Sequence, residues 1–90
     1  MKRVRIIVSG DVQGVGYRSW AKGKAKELGL SGWVKNRDDG AVEIVAEGSK
    51  SKLEEMIVLC QKGPEVAWVK EVIVEWEKAV GEFVVFEVVY

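Results

Sequence analysis

Between Arg3 and Val8 the chain alternates, with Val4, Ile6 and Val8 at every second position, which predicts a strand burying one face. That strand runs directly into the glycine-rich stretch GDVQGVGYR, residues 10–18. The period then changes. Tyr17, Trp20, Ala21, Ala25 and Leu28 follow one another at spacings of three, one, four and three, which gathers them on one side of a helix. Gly29 supplies a left-handed stop. Gly23 weakens the middle of this helix by about 1 kcal/mol relative to alanine.

Ser31 to Lys35 and Ala41 to Ala46 read as two antiparallel strands, joined through Asn36-Arg37-Asp38-Asp39-Gly40, where Asp-Gly favours a tight turn with positive φ. Ser51-Lys52-Leu53-Glu54 fits a capping box for a second helix with the stripe Leu53, Met56, Ile57 and Cys60, ended by Gly63-Pro64. Val69 to Trp76 and Phe83 to Val89 are further extended segments. In an uninterrupted strand Trp68 and Trp76, eight apart, share a face with Lys70, Val72 and Val74. The order predicts an α+β, ferredoxin-like split β-α-β sandwich (βαββαβ), an antiparallel sheet with two helices on one face and an additional C-terminal edge segment. This architecture hosts many unrelated activities, so function has to come from particular residues.

Ninety residues fit one domain, read as spanning residues 1–90, and a chain this short hides only about 60 to 65 % of its unfolded surface. The formal net charge is zero, from 14 basic and 14 acidic residues, which provides no long-range field for nonspecific nucleic-acid binding. Any anion has to be captured locally. The single cysteine, Cys60, has no disulfide partner within the chain and falls on the apolar stripe of the second helix, where it is expected to pack. The N-terminus alternates basic and apolar residues unlike a secretory signal, and no apolar run approaches the roughly 20 residues of a membrane span. A cytoplasmic protein without membrane or nucleic-acid partners is expected, as a monomer or weak homo-oligomer. One Asn, two Met, no His and 31 % charged residues fit a heat-adapted source.

The glycines of residues 10–18 allow two readings. In the simpler one they permit a sharp strand-to-helix turn, and Arg18 is a solvated residue of the first helical turn. In the other, amides freed of neighbouring Cβ atoms and the N-terminus of the helix form an anion cradle, with the planar fork of Arg18 gripping two oxygens. Nucleotide motifs fit badly, since the stretch lacks the Gly-Lys-Ser/Thr ending of a P-loop and Ser19 stands in place of the third glycine of a dinucleotide fingerprint. An RNA-binding sheet is disfavoured because Val4, Ile6, Ile7, Val42, Ile44 and Val45 stand where stacking rings are required. For Asn36, the residues alone favour a turn residue tolerating left-handed φ. Asp11, Asp38 and Asp39 read as solvent-facing or turn residues, and the four tryptophans as packing groups.

The run Gly10-x-Val12-Gln13-Gly14-Val15-Gly16-Tyr17-Arg18 resembles the acylphosphatase family. So does Ala25-x-x-Leu28-Gly29-Leu30-x-Gly32-Trp33-Val34-x-Asn36-x-x-Asp39-Gly40-x-Val42-Glu43, with Gly63-Pro64, Ala67, Val69 and the ending Phe86-Glu87-Val88-Val89-Tyr90. The resemblance covers about residues 3 to 90. It implies an enzyme that hydrolyses acyl phosphates to a carboxylate and inorganic phosphate. By the same resemblance, the loop of Val12, Gln13, Gly14, Val15, Gly16 and Tyr17 cradles phosphate, Arg18 binds it and Asn36 positions the attacking water. Tyr17 stands where many members have phenylalanine, and its hydroxyl is expected to find water or a polar partner behind the loop. Related domains also occur as modules of larger proteins that handle carbamoyl phosphate, so a non-catalytic phosphate-binding module is the alternative.

The chemistry suits so few groups. An acyl phosphate expels a carboxylate whose conjugate acid has a pKa near about 4 to 5, so no strong general acid is needed and the lack of histidine is no obstacle. Positioning of the water and stabilisation of the equatorial oxygens remain, tasks for amides and an arginine. No metal and no cofactor are expected.

Overall fold

The computed structural model describes residues 1–90. The alternation read from the first strand is realised as β1 (Lys2–Asp11), whose Val4, Ile6 and Val8 are fully buried. Helix α1 (Tyr17–Glu27) follows, then β2 (Ser31–Asn36), β3 (Val42–Gly48), helix α2 (Lys50–Lys62), β4 (Trp68–Glu77) and β5 (Phe86–Val89). The sheet order is β4-β1-β3-β2-β5. Tyr17, Ala21 and Ala25 of α1 and Leu53, Met56 and Cys60 of α2 join Val4, Ile6, Val8, Val34, Ile44 and Phe86 of the sheet in one apolar cluster. No helix is long and apolar enough to cross a membrane.

Three features depart from the sequence reading. The β1–β3, β1–β4 and β2–β3 pairings are antiparallel, as expected of the four-stranded core, but β5 pairs with β2 in parallel. A parallel partner requires a crossing, and residues 78–85 provide it by running from β4 at one edge to β5 at the other. Second, α2 starts two residues early: Ser49, in extended geometry, accepts from the Lys52 amide at 3.4 Å, so Ser51 lies inside the helix. Third, the register of β4 against β1 shifts after Ser9, so that Ser9 faces Glu71 while Gly10 faces Val69. Lys70 is the extra residue of a bulge, which inverts the side-chain parity on either side of it. Trp76, opposite Val4, therefore lies on the helix side, and Trp68, opposite Asp11, on the other face. Both are largely exposed.

The face without helices is held by ions. Glu47 is 1 % exposed, and its carboxylate accepts from Arg3 Nε at 2.9 Å, from the Val80 amide at 2.9 Å and from the Gly81 amide at 3.1 Å. Burial resists ionisation of this carboxyl, yet the two amides and the guanidinium outweigh it and hold its pKa below the usual range. The crossing segment is thus tied to the sheet by one buried acid. Arg5 bridges Glu77 and Glu43 beside it.

Candidate active site

The turn between β1 and α1 is anchored by Val12, which is buried, and leaves the core through Gln13. Gly14 (φ 77°) and Gly16 (φ 79°) are left-handed, and an added Cβ at either would meet nothing within 4 Å. The demand for glycine here is dihedral and not steric. Gly16 is the N-cap of α1, makes no side-chain cap bond and accepts from the Trp20 amide at 3.1 Å through its carbonyl. None of the amides from Gln13 to Ser19 donates to a protein acceptor. The free donors of a helix N-terminus and of the loop before it are thereby left available to a ligand.

Arg18, in the first turn of α1, and Asn36, the last residue of β2, both open onto a cavity that Gly14, Gly16, Tyr17 and Ser19 also line. It measures about 80 Å³ and is lined by Val12, Gly14, Gly16, Tyr17, Arg18 and Asn36, with Ser19, Val88 and Tyr90. By the same measure a water needs about 10–15 Å³, so a tetrahedral anion or a few waters fit. No acidic residue lines it. Arg18 has no carboxylate within 4.0 Å, and its Cζ sits 4.7 Å from the centre of the Tyr90 ring. Asn36 pairs with Val42 across the hairpin, and no residue other than glycine has positive φ, so the turn-residue reading of Asn36 is corrected. Its side-chain amide makes no protein hydrogen bond.

Of the expected loop residues, Gln13 and Val15 do not line the cavity. Gln13 instead reaches the hairpin: its Nε2 donates to the carbonyls of Arg37 at 2.8 Å and Ala41 at 2.9 Å. One side chain therefore locks the glycine turn to the strand pair carrying Asn36. Val15 packs against the main core. Asp11 is exposed and outside the cavity, and Asp39 serves the turn, accepting from the Ala41 amide at 3.0 Å and pairing with Arg37 at 3.1 Å. Asp38 is exposed as well. Tyr90 was legible only as part of a family-like ending, because nothing in its periodicity links it to a residue 72 positions earlier.

Behind the cavity Tyr17 is buried, and its hydroxyl donates to the Cys60 carbonyl at 2.8 Å. Burial, and then proximity to Cys60, push the phenol pKa well above its ordinary value. Burial likewise pushes the Cys60 thiol up to about 12, which leaves it protonated and unreactive at neutral pH. No group of three or more His, Cys, Asp or Glu residues is gathered to hold a metal ion.

The family model described as Acylphosphatase matches residues 4–88. An acylphosphatase of Methylococcus capsulatus is 48 % identical over 88 residues, covering 98 % of this chain and 96 % of the relative. The crystal structure of acylphosphatase from Bacillus subtilis superposes with a TM-score of 0.96 at 40 % identity, covering all of both chains. The crystal structure of T. kodakarensis HypF superposes with a TM-score of 0.85 at 34 % identity, where the match spans all of this chain and 12 % of that one. With near-complete coverage of stand-alone relatives, the chain belongs to the acylphosphatase family and is an enzyme that hydrolyses acyl phosphates to a carboxylate and inorganic phosphate.

Proposed function

We propose that the amides of the Gly14–Tyr17 turn, the first turn of α1 and the guanidinium of Arg18 hold the phosphoryl group, while Asn36 orients the water that attacks it. The observation that carries this reading is the convergence of Arg18, Asn36, Gly14 and Gly16 on one small cavity free of acidic side chains. Free amides and a planar cation suit three equatorial oxygens that keep their charge through the transition state. A carboxylate in place of Asn36 would repel the phosphate. At about 4 Å and an effective dielectric of about 20, two like charges oppose each other by about 4 kcal/mol. A neutral amide accepts from the water and donates elsewhere without that penalty.

Attack on phosphorus forms a bond from water oxygen to phosphorus and breaks the bond from phosphorus to the acyl oxygen, whose electron pair leaves on the carboxylate. One water proton passes to a phosphate oxygen or to bulk solvent, since no carboxylate or imidazole side chain lines the cavity and the guanidinium of Arg18 is already protonated. No metal or cofactor is needed at any step, and residues 1–90 act as one catalytic domain. Titration with inorganic phosphate, followed by amide NMR shifts, tests the assignment. Saturable shifts concentrated at Gly14, Gly16, Tyr17 and Arg18 support it, and shifts confined to another surface overturn it.

A further inference from the structure

We propose that the groove between α1 and β5 is an anion subsite for the acyl part of the substrate, so that the enzyme prefers acyl phosphates whose acyl chain ends in a carboxylate. This rests on the assignment of phosphate to the cavity at Arg18. A concavity of about 690 Å³, lined chiefly by Ser19, Lys22, Gly23, Lys26, Val88 and Tyr90, adjoins that cavity and shares Ser19, Val88 and Tyr90 with it. A chain leaving the phosphate along this side has a continuous path into the groove.

The charge in the groove is unspent. Lys24 has a partner in Glu27 at 3.8 Å, but Lys22 and Lys26 have no carboxylate within 4.0 Å. Arg18, Lys22 and Lys26 stand at i, i+4 and i+8 along α1 and form a positive stripe leading away from the phosphate cavity. Lys22 lies about 6 Å and Lys26 about 12 Å along the axis from Arg18, so an acyl chain of a few carbons spans the gap to the first. One acidic residue, Glu87, also lines the groove, but it stands between Phe86 and Val88, which both pack into the core, so strand alternation places its side chain on the face away from α1.

Gly23 adds an independent observation. It sits in the middle of α1, where glycine costs about 1 kcal/mol relative to alanine, and an added Cβ would meet nothing within 4 Å, so packing does not require it. What it leaves is open space between Lys22 and Lys26 in the groove itself.

The test compares succinyl phosphate with its distal methyl ester, the same chain without the second charge. At low ionic strength kcat/KM should favour the free acid by about fivefold, the size expected of two exposed charge contacts. The preference should fade at about 1 M salt, where the screening length is about 3 Å. Replacing both lysines (Lys22→Gln with Lys26→Gln) should bring the ratio of the two substrates towards unity, whereas Lys50→Gln with Lys78→Gln, the same charge change at the other end of the sheet, should preserve it. A ratio near unity in the unmodified enzyme, an unchanged ratio after Lys22 and Lys26 are replaced, or an equal loss in the Lys50 and Lys78 variant overturns the subsite. Failure of the unmodified enzyme to hydrolyse either compound faster than Arg18→Ala would instead overturn the phosphate assignment beneath it.

Discussion

The Tyr17 hydroxyl donates to the Cys60 carbonyl at 2.8 Å, and this bond fills a gap that the backbone cannot. The regular partner of that carbonyl in a helix is the amide four residues on, and here residue 64 is proline. A phenol from the phosphate loop thus completes the last turn of α2, which couples the floor of the site to the second helix.

Replacing Tyr17 with phenylalanine should leave kcat within about twofold but strand a buried carbonyl, at a cost of about 1–2 kcal/mol. In a domain of this size that corresponds to a Tm lower by about 4–16 °C, readable by calorimetry. An unchanged Tm would show that water substitutes for the hydroxyl.

Much of the architecture was legible because periodicity and turn chemistry agree. Val4, Ile6 and Val8 alternate and are buried, and Gly29 and Gly40 stop α1 and turn the β2–β3 hairpin, at φ 71° and 93°. What was not legible depends on partners far along the chain. The β4 bulge at Lys70 exists only through pairing with Gly10, so spacing alone put Trp68 and Trp76 on one face. Ser51 matched a capping box better than Ser49 did, but the chain leaving β3 reaches helical geometry already at Lys50. At the site, Arg18 and the glycines were visible as a motif. Family likeness singled out Asn36, and the tie from Gln13 to the hairpin carbonyls had no sequence signature.

Glu47 gives a pH dependence whose sign follows from its depressed pKa. The native state binds this proton less tightly than the unfolded chain does. Its stabilisation is therefore full above the unfolded glutamate pKa of about 4.3 and is lost as pH falls through the lower native value. Glu47→Gln should cost about 2–3 kcal/mol at neutral pH, since charge-assisted bonds to Arg3, Val80 and Gly81 go together. The gap in Tm between the two proteins should narrow as the pH is lowered from 7 towards about 3. A gap that stays constant would mean that the carboxylate is not ionised against those donors.

Gly16→Ala tests the dihedral demand of the loop. With φ at 79° and no steric obstacle, the expected strain is about 1–2 kcal/mol, released if the turn leaves the phosphate-binding shape. The inhibition constant for phosphate should rise by about 5- to 30-fold. Unaltered phosphate affinity would show that the turn does not hold the ligand through its present backbone.

Tyr90 stacks on Arg18 while remaining 97 % exposed, so its contribution should be that of a surface cation–π contact. Tyr90→Ala should raise KM by about two- to fivefold with no change in Tm, because about 0.5–1 kcal/mol of guanidinium positioning is lost. A fall in Tm would assign the ring to folding and not to the site.

The central claim divides two tasks between two residues, and parallel kinetics of Arg18→Ala and Asn36→Ala measure that division. With acetyl or benzoyl phosphate as substrate and inorganic phosphate as product inhibitor, Arg18→Ala should lose both turnover and phosphate affinity. Asn36→Ala should lose about 100-fold or more in kcat while its inhibition constant for phosphate stays within about threefold. Equal loss of phosphate binding in the two variants, or retention of kcat in Asn36→Ala, would contradict the account.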